Sequence, residues 1–409
     1  MVFRSRGEIS LAVAAAAVAL LIIAFPEDSF KAGLQGVGIW WDVLFPALFP
    51  FFVLSELMLG FGIVHFFGTL LDPMMRPLFR VPGPGGFVLA MGLASGYPVG
   101  ARLTSQLWDA GLVNREESER LASFTTTSDP IFLIGAVSVG FFHNAALAPV
   151  LAIAHYGGAV AVGLLMRYWG GRTASGWELV YGGGNSGSIW RRAFEAMHRA
   201  RVNDGRPVGT LLREGIQSGL RLIIVVGGLV VFFSVALKVL SLAGVIGILQ
   251  SFVSWALSVF GIAAPLSAAI VNGFFEVTLG ARSAGTPFPG ADLRAQSAVA
   301  AFVLSWAGLS VHAQSMSLMH HMPVRYSSFF LARLVHAFIS AFIVYFVWDW
   351  LSPAASAWLP VGAAPVSGWD AFRAFAPYSI AIFAGVLSSI PVLYLFYAVL
   401  RWLLRALIR

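Results

Sequence analysis

The chain has 409 residues, of which 58% are hydrophobic and only 11% are charged, and its formal net charge is +7. A soluble protein carries about 25% charged residues, so this chain lacks the polar surface that water requires, and its apolar residues must face lipid. This excludes soluble enzymes, nucleic-acid-binding modules and disordered proteins. The chain contains no cysteine, which excludes disulfides, thiol catalysis and Cys-based metal sites.

The first predicted element is an uncleaved transmembrane helix within residues 1–32. Its apolar run, Ile9–Phe25, gives roughly 26 Å of helix, close to the thickness of the hydrocarbon core. Pro26 ends the run, and no small-residue cleavage site precedes it, so a signal peptide is disfavoured. Arg4 and Arg6 put the N-terminus in the cytoplasm.

Residues 33–169 are predicted to form a first repeat, apolar but interrupted. Val37–Phe61 is long enough for one span, although Pro46 and Pro50 interrupt it, and Val81–Gly86 is predicted to be a turn.

A re-entrant hairpin is predicted at Ser95–Arg102. The preceding apolar run, Phe87–Leu93, is too short to cross a bilayer, and Pro98 rules out a continuous helix. An ordinary loop at the membrane surface is the alternative interpretation.

The positive-inside rule gives a topology for the rest of the chain. Residues 170–218 are arginine-rich and are predicted to be a cytoplasmic linker, and residues 219–350 form a second repeat. Residues 351–376 form an external loop, and residues 377–409 hold a last transmembrane helix with a basic cytoplasmic end. The two repeats then cross the membrane in opposite senses.

The two halves also resemble each other in sequence. Gly100-Ala101-Arg102 matches Gly280-Ala281-Arg282 at an offset of 180 residues, with a similar order of apolar runs and polar interruptions around each triplet. Together with the topology, this favours an inverted repeat, an architecture common among secondary transporters. The predicted fold is an all-α polytopic transporter with two re-entrant helical hairpins and discontinuous transmembrane helices.

Polar interruptions in apolar segments predict where the substrate binds, because broken backbone is tolerated in lipid only around a cavity. Thr125–Pro130 is interpreted either as a capped helix start or as an unwound midpoint with Asp129 as an ion or proton site. Glu276, within Asn272–Arg282, is assigned a site role, with a structural pair to Arg282 as the alternative. Ser305–Ser315 is the fourth interruption.

Arg102 and Arg282 occupy matching positions and suit a carboxylate or phosphate ligand, through bidentate hydrogen bonds beside positive helix ends. Alternatively, both arginines mark hairpin bases at the lipid headgroups. The predicted substrate-binding residues are Ser95, Gly96, Tyr97, Arg102, Thr126, Thr127, Ser128, Glu276, Thr278, Arg282, Ser310, His312 and Gln314. Asp129 and Glu276 are the predicted ion-coupling residues, and no metal site, cofactor or catalytic residue is predicted.

These motifs resemble the YlbJ family of sporulation integral membrane proteins, also called SpoVV, in the nucleoside-recognition (Gate) superfamily related to concentrative nucleoside transporters. The resemblance covers most of residues 35–350. The motifs that carry it are Ser95–Arg102, Thr127–Val137, His155-Tyr156, Phe275–Gly280 and Gly308–Gln314.

The resemblance implies an elevator-type carrier that moves dipicolinate into the developing endospore across the outer forespore membrane. This chain has Thr127-Ser128-Asp129 where the family often has Asn-Ser or similar. The extra carboxylate favours proton coupling or a structural pair for Asp129 over direct contact with an anion.

The sequence therefore predicts a bacterial membrane carrier, not an enzyme, for a small anionic aromatic carboxylate. Two alternatives stay open: a nucleoside or nucleobase carrier, and a non-transporting membrane scaffold in spore assembly. The expected partners are the anionic substrate and the lipid bilayer, with no nucleic acid. A proton gradient, a sodium gradient and simple downhill flow all stay open as the driving force, and a homo-oligomer is compatible with the sequence.

Overall fold

The computed structural model describes residues 6–171, 188–290 and 292–358, together with residues 391, 392, 394 and 395. Across these residues the regular structure is helical, with no strand. Four helical segments are long and apolar enough to cross a bilayer, or six if two bent helix pairs each count as one span. The chain is an all-helical, polytopic membrane protein. Residues 172–187 of the linker, most of the predicted 351–376 loop and nearly all of the predicted last helix lie outside the described residues.

The N-terminal apolar run forms helix α1 (Arg6–Ala24), which ends one residue before Phe25. Pro26 then opens helix α2 (Pro26–Ile39), and the axes of the two helices differ by 106°. Proline suits this position because its missing N–H would have no helical partner in the first turn. The predicted first element, residues 1–32, therefore contains the end of one helix and the start of the next.

Helix α2 continues into α3 (Phe45–Gly60) through a π-helical turn, Trp40–Leu44. Pro46 lies in the first turn of α3 and Pro50 lies inside it. The two prolines predicted to interrupt this segment do not end the helix; the irregularity is the wider π turn just before them.

Two series of helices then follow, and their members correspond one to one in chain order. The first consists of α3, α4 (Ile63–Phe79), α5 (Pro84–Ser95), α6 (Tyr97–Asp109), α7 (Arg115–Thr125), a π-helix (Ile131–Phe141) and α8 (Ala148–Met166). After α9 (Ile189–Asp204), the second consists of α10 (Val208–Leu242), α11 (Val245–Val259), α12 (Leu266–Phe275), α13 (Val277–Gly285), α14 (Leu293–Trp306), α15 (Gly308–Leu318) and α16 (Tyr326–Trp358). The turn predicted at Val81–Gly86 is shorter than expected, since α5 already begins at Pro84.

Helix breaks occur at matching places in the two series. Gly96 separates α5 from α6, and Glu276, 180 residues later, separates α12 from α13. Thr126–Asp129 separates α7 from the π-helix, and Ala307 separates α14 from α15. Each of the four polar segments singled out in the sequence thus contains a break.

Polar contacts tie the ends of α16 to different parts of the chain. Just before its N-terminal end, His321 Nε2 lies 2.9 Å from Asp109 Oδ1, at the end of α6. Near its other end, Asp349 Oδ2 lies 3.3 Å from Arg294 Nη2, at the start of α14. Gln296 then donates to the Ala284 carbonyl at 2.9 Å, which holds the end of α13 beside the start of α14.

The broken helices lie in the interior of the molecule. Most side chains of α14 and α15 are buried, whereas α10 carries several exposed apolar side chains, among them Leu212, Ile224 and Phe232. Helix α16 packs against both α8 and α14. The polar breaks are therefore surrounded by protein, and α10 presents its apolar side chains outward.

Candidate functional site

Each hairpin tip contacts the second break of its own half. Gly96, at the first tip, has φ +91°, and a Cβ placed there would lie 3.1 Å from Asp129 Oδ2. Gly308, at the second break, has φ +77°, and a Cβ there would lie 3.0 Å from the Glu276 Cα. Both contacts pair a glycine with an acidic residue, but the tip supplies the glycine in one half and the acid in the other.

The two carboxylates cap half-helices. Asp129 Oδ1 accepts a hydrogen bond from the Phe132 N–H at 2.8 Å, and Glu276 Oε2 accepts one from the Leu279 N–H at 2.8 Å. A carboxylate is stabilised there by the free N–H groups and the positive end of the helix. Helices α6 and α15 have no such side-chain cap among the described residues. The N-cap residues of these two helices are Gly96 and Ala307, whose side chains offer no acceptor to the first N–H groups.

A fully buried arginine joins the breaks of the two halves. Arg333, on α16, donates from Nη1 to the Thr126 carbonyl at 2.6 Å and from Nη2 to the Ser305 carbonyl. Thr126 follows the last residue of α7, and Ser305 lies in the last turn of α14. One guanidinium thus satisfies carbonyl groups at the negative ends of two helices, which stabilises a cation in a medium where an isolated charge is costly.

Two buried histidines from α8 and α16 stack beside this arginine. The rings of His155 and His336 are 5.1 Å apart at 25°, and His336 Nε2 lies 2.7 Å from the His155 carbonyl. His155 Nε2 accepts from the Ser128 N–H at 2.9 Å. This network assigns the proton of His155 to Nδ1, which donates to Ser305 Oγ at 2.9 Å; His155 is therefore neutral.

Tyrosine hydroxyls complete the links around the breaks. The Tyr97 hydroxyl, beside the first hairpin tip, donates to the Leu304 carbonyl of the second half at 2.8 Å. The Tyr156 hydroxyl donates to the Ser128 carbonyl at 3.0 Å. The first of these bonds links the break at Gly96 to α14, and the second links α8 to the break at Thr126–Asp129.

Most of the predicted site residues lie at these breaks. The fully or nearly fully buried ones are Ser95, Gly96, Tyr97, Thr126, Thr127, Ser128, Glu276, Ser310, His312 and Gln314, whereas Thr278 and Asp129 are half-buried. The hydroxyls of Ser95 and Ser310 are buried without a hydrogen-bond partner among the described residues. Such groups require a ligand or water to satisfy them.

The predicted arginines have different surroundings from each other. Arg102 Nη2 lies 2.8 Å from Ser218 Oγ and 3.4 Å from Glu56 Oε2, so Arg102 is engaged with α3 and α10. Arg282 is exposed at the surface of α13. Its alternative pairing with Glu276 is absent from the ion pairs of the described residues. A substrate role for both arginines stays a prediction.

His312 is held by its neighbours. Its Nδ1 lies 3.1 Å from the Tyr326 hydroxyl, its Nε2 lies 3.1 Å from the Trp306 carbonyl, and its ring centroid is 4.3 Å from that of Trp306. Both ring nitrogens are therefore already occupied.

Sequence reasoning missed three residues of this candidate site: Arg333, His336 and Ser340, whose Oγ accepts a hydrogen bond from Ser305 Oγ at 2.8 Å. A signal existed, because Arg333 interrupts the apolar span Tyr326–Leu351, and an ionisable residue inside a span marks a functional position by default. His336 also follows His155 at nearly the same offset that relates the two Gly-Ala-Arg triplets. Within the described residues, no group of three or more His, Asp or Glu side chains could hold a metal ion.

Comparison with known proteins identifies the family of the chain. A family model described as "Nucleoside recognition" (Gate) matches residues 42–160, which include the first hairpin, Asp129 and His155. The sporulation integral membrane protein YlbJ of Bacillus subtilis (strain 168) is 42% identical over 337 residues, covering 82% of this chain and 81% of that protein. The chain belongs to the YlbJ family.

This YlbJ-family chain also resembles a second protein, over a shorter stretch of sequence. An uncharacterized protein of Alkalihalophilus pseudofirmus is 32% identical over 100 residues, which cover 23% of this chain and 21% of that protein. No solved structure matches the chain.

Replacing Arg333 with Gln is expected to destabilise the fold. The shorter, neutral side chain cannot reach both carbonyl groups, and a hydrogen bond to a charged group contributes about 1.5–3 kcal/mol. The unfolding temperature of the detergent-solubilised protein, followed by tryptophan fluorescence, should fall by more than about 5 °C. The exposed Arg282→Gln variant serves as the control and should change it little. Equal shifts in the two variants would show that Arg333 does not join the breaks.

Proposed function

We propose that this YlbJ-family chain is a membrane transporter of a small anionic aromatic carboxylate, and that its substrate is dipicolinate (pyridine-2,6-dicarboxylate). The observation that carries the proposal is Arg333, a buried guanidinium between breaks from both halves of a membrane protein. Ionisable residues at such positions serve transport pathways far more often than they serve packing. Arginine is also the side chain best matched to a carboxylate.

The proposed architecture is a pair of inverted repeats that works as an elevator-type carrier. The matching order of helices and breaks supports a duplication. The base of the first hairpin is tied to the N-terminal end of α16, through Asp109 and His321. The base of the second hairpin lies beside Arg294, which is tied to Asp349 near the other end. Because α16 is long enough to span the bilayer, these contacts support hairpins that enter from opposite faces.

Unsatisfied groups around the breaks suit the proposed ligand. Arg333 Nε and His336 Nδ1 are buried without a hydrogen-bond partner among the described residues, as are the hydroxyls of Ser95 and Ser310. The uncapped N–H groups of α6 and α15 add further donors. Dipicolinate is a flat dianion with two carboxylates, so it would accept hydrogen bonds from several of these groups while its ring packs against Tyr97.

The two buried acids are assigned to ion coupling. A dianion beside Asp129 and Glu276 would be repelled unless a proton or sodium ion neutralised one of them. Both carboxylates also cap a half-helix at a tip-to-break contact, so a change in their charge acts on the contact that closes the site. The proposed location is the outer forespore membrane, across which the chain would import its substrate. Both termini of the chain would lie in the cytoplasm.

A second candidate is a nucleoside carrier. The nucleoside-recognition family model over residues 42–160 favours it. In that function Glu276 would accept a hydrogen bond from a ribose hydroxyl, because carboxylates and amides suit neutral polar ligands better than anions.

Uptake by proteoliposomes tests the proposal directly. Purified protein should accumulate labelled dipicolinate, and dipicolinate but not uridine should raise its unfolding temperature. Uptake and stabilisation by uridine alone would establish the nucleoside function instead. If the folded protein takes up neither dipicolinate nor uridine and is stabilised by neither, transport of both substrate classes is contradicted.

Removing the unsatisfied hydroxyls is expected to weaken substrate binding without unfolding the protein. Ser95→Ala and Ser310→Ala each delete a group that bonds nothing else, so stability stays unchanged. Loss of one ligand hydrogen bond of about 1 kcal/mol should raise KM for dipicolinate about 5-fold. Ser105→Ala is the matched control, since Ser105 is another buried, unpartnered hydroxyl but lies eight residues beyond Tyr97. If all three variants behave alike, the hydroxyls at the breaks do not contact substrate.

Neutralising the acids is expected to uncouple transport. Asp129→Asn and Glu276→Gln still accept the capping hydrogen bonds but cannot carry charge. Uptake should then lose its dependence on an imposed proton or sodium gradient, while the exposed Asp42→Asn variant keeps it. Gradient dependence that persists in both site variants would remove the coupling assignment.

A further inference from the structure

Helix α9 has a protein-facing side made of small residues. Ala193 and Ala196 are fully buried, and Met197 lies so close to α4 that a Cβ on Gly62 would be 2.4 Å from its carbonyl oxygen. The side chains on this face are short, so α9 lies tightly along α4. Its remaining surface faces away from the rest of the described chain.

One flank of that outward surface is aromatic. Trp190 and Phe194, one turn apart, are 59% and 55% exposed. Phe66 of α4 packs against both rings, with centroids 6.3 and 4.9 Å away, and the exposed Phe67 adjoins Phe66. These four residues, which we call the aromatic flank, form an apolar surface across two helices. Trp is enriched at the level of lipid headgroups, where its ring lies partly in apolar surroundings.

The other flank is cationic. Arg191, Arg192 and Arg199 lie there with a single acid, Glu195. The Arg191–Glu195 ion pair, at 3.2 Å, is largely exposed and so is worth little against a competing phosphate. Arg191 and Arg199 are exposed, so their guanidinium groups can reach a phosphate outside the protein.

The turn between α9 and α10 indicates where α9 lies relative to the membrane. Helix α10 has 35 residues, roughly 52 Å of helix, so it is longer than a hydrocarbon core of about 30 Å. In the turn before it, Arg206 Nη2 lies 2.6 Å from Asp204 Oδ2, and this guanidinium lowers the pKa of the Asp204 carboxyl. A charged turn is favoured outside the apolar layer, and α9 leads directly into it.

We propose that α9, with the aromatic flank, is an interfacial helix that binds the anionic phospholipids of the surrounding leaflet. Trp190 and Phe194 enter the boundary between headgroups and acyl chains, and Arg191, Arg192 and Arg199 bind lipid phosphates. An apolar stripe beside an arginine-rich stripe is the pattern of helices that lie in the plane of a membrane. This inference is independent of what the protein transports.

Spin-label accessibility tests the orientation, because the cysteine-free chain allows single labels without background. The full chain carrying Phe194→Cys or Arg199→Cys is reconstituted in vesicles containing phosphatidylglycerol. The label at 194 should be accessible to oxygen and shielded from a water-soluble nickel chelate, like a label at Phe342, which is exposed within the apolar span of α16. The label at 199 should show the reverse. A label at 194 that is as accessible to the chelate as the label at 199 would overturn the proposal.

Lipid stabilisation tests the headgroup preference. Phosphatidylglycerol should raise the unfolding temperature of the detergent-solubilised protein by several degrees more than phosphatidylcholine, and added salt should reduce the difference. The R191Q/R199Q double variant should lose this difference, whereas the control Lys31→Gln, which removes an exposed cation that is paired with Glu27, keeps it. Equal effects of the two lipids would overturn the proposal. So would an equal effect of inorganic phosphate, which would indicate a soluble anion instead.

Discussion

A backbone group freed by a helix break inside a membrane needs a partner in the protein, in water or in a ligand, and here one guanidinium serves two of the breaks. Arg333 binds a carbonyl at the end of α7 and another at the end of α14. Its charge is stabilised by those carbonyls, and the carbonyls are satisfied by it, so neither is stable at this depth without the other. The stacked histidines and the serine hydroxyls around it extend this mutual dependence to α8.

Glycine permits the close approach that these contacts need. At Gly96 and Gly308 the backbone adopts a positive φ that other residues rarely adopt, and each glycine lies directly against an acidic residue of its own half. The acid in turn caps a half-helix. The glycine leaves room for the backbone to approach, and the acid places a charge at a helix N-terminus. Together they hold a hairpin tip against an unwound segment.

The positions of the breaks were predictable because their causes are local. Pro98, Pro130 and runs of hydroxyl residues interrupt apolar segments visibly, and the repeated triplet indicates which interruptions correspond. The expected effect of Pro46 and Pro50 was wrong, because a π turn just ahead of them lets the helix continue.

What surrounds each break was much less predictable. Nothing near Thr126 in the sequence indicates that its carbonyl bonds an arginine more than 200 residues away. Likewise, nothing near Arg102 indicates that Glu56 and Ser218 engage it. Charge and residue type identify candidates, but only tertiary packing selects their partners.

The exchanged positions of glycine and acid make the two breaks chemically different. Between α5 and α6 the connection is bare backbone at Gly96, and the adjoining carboxylate comes from Asp129 at the other break of that half. Between α12 and α13 the connecting residue, Glu276, carries the carboxylate itself. A substitution at the matching position therefore acts in opposite ways: at Gly96 it adds a side chain where only backbone fits, and at Glu276 it removes a helix cap.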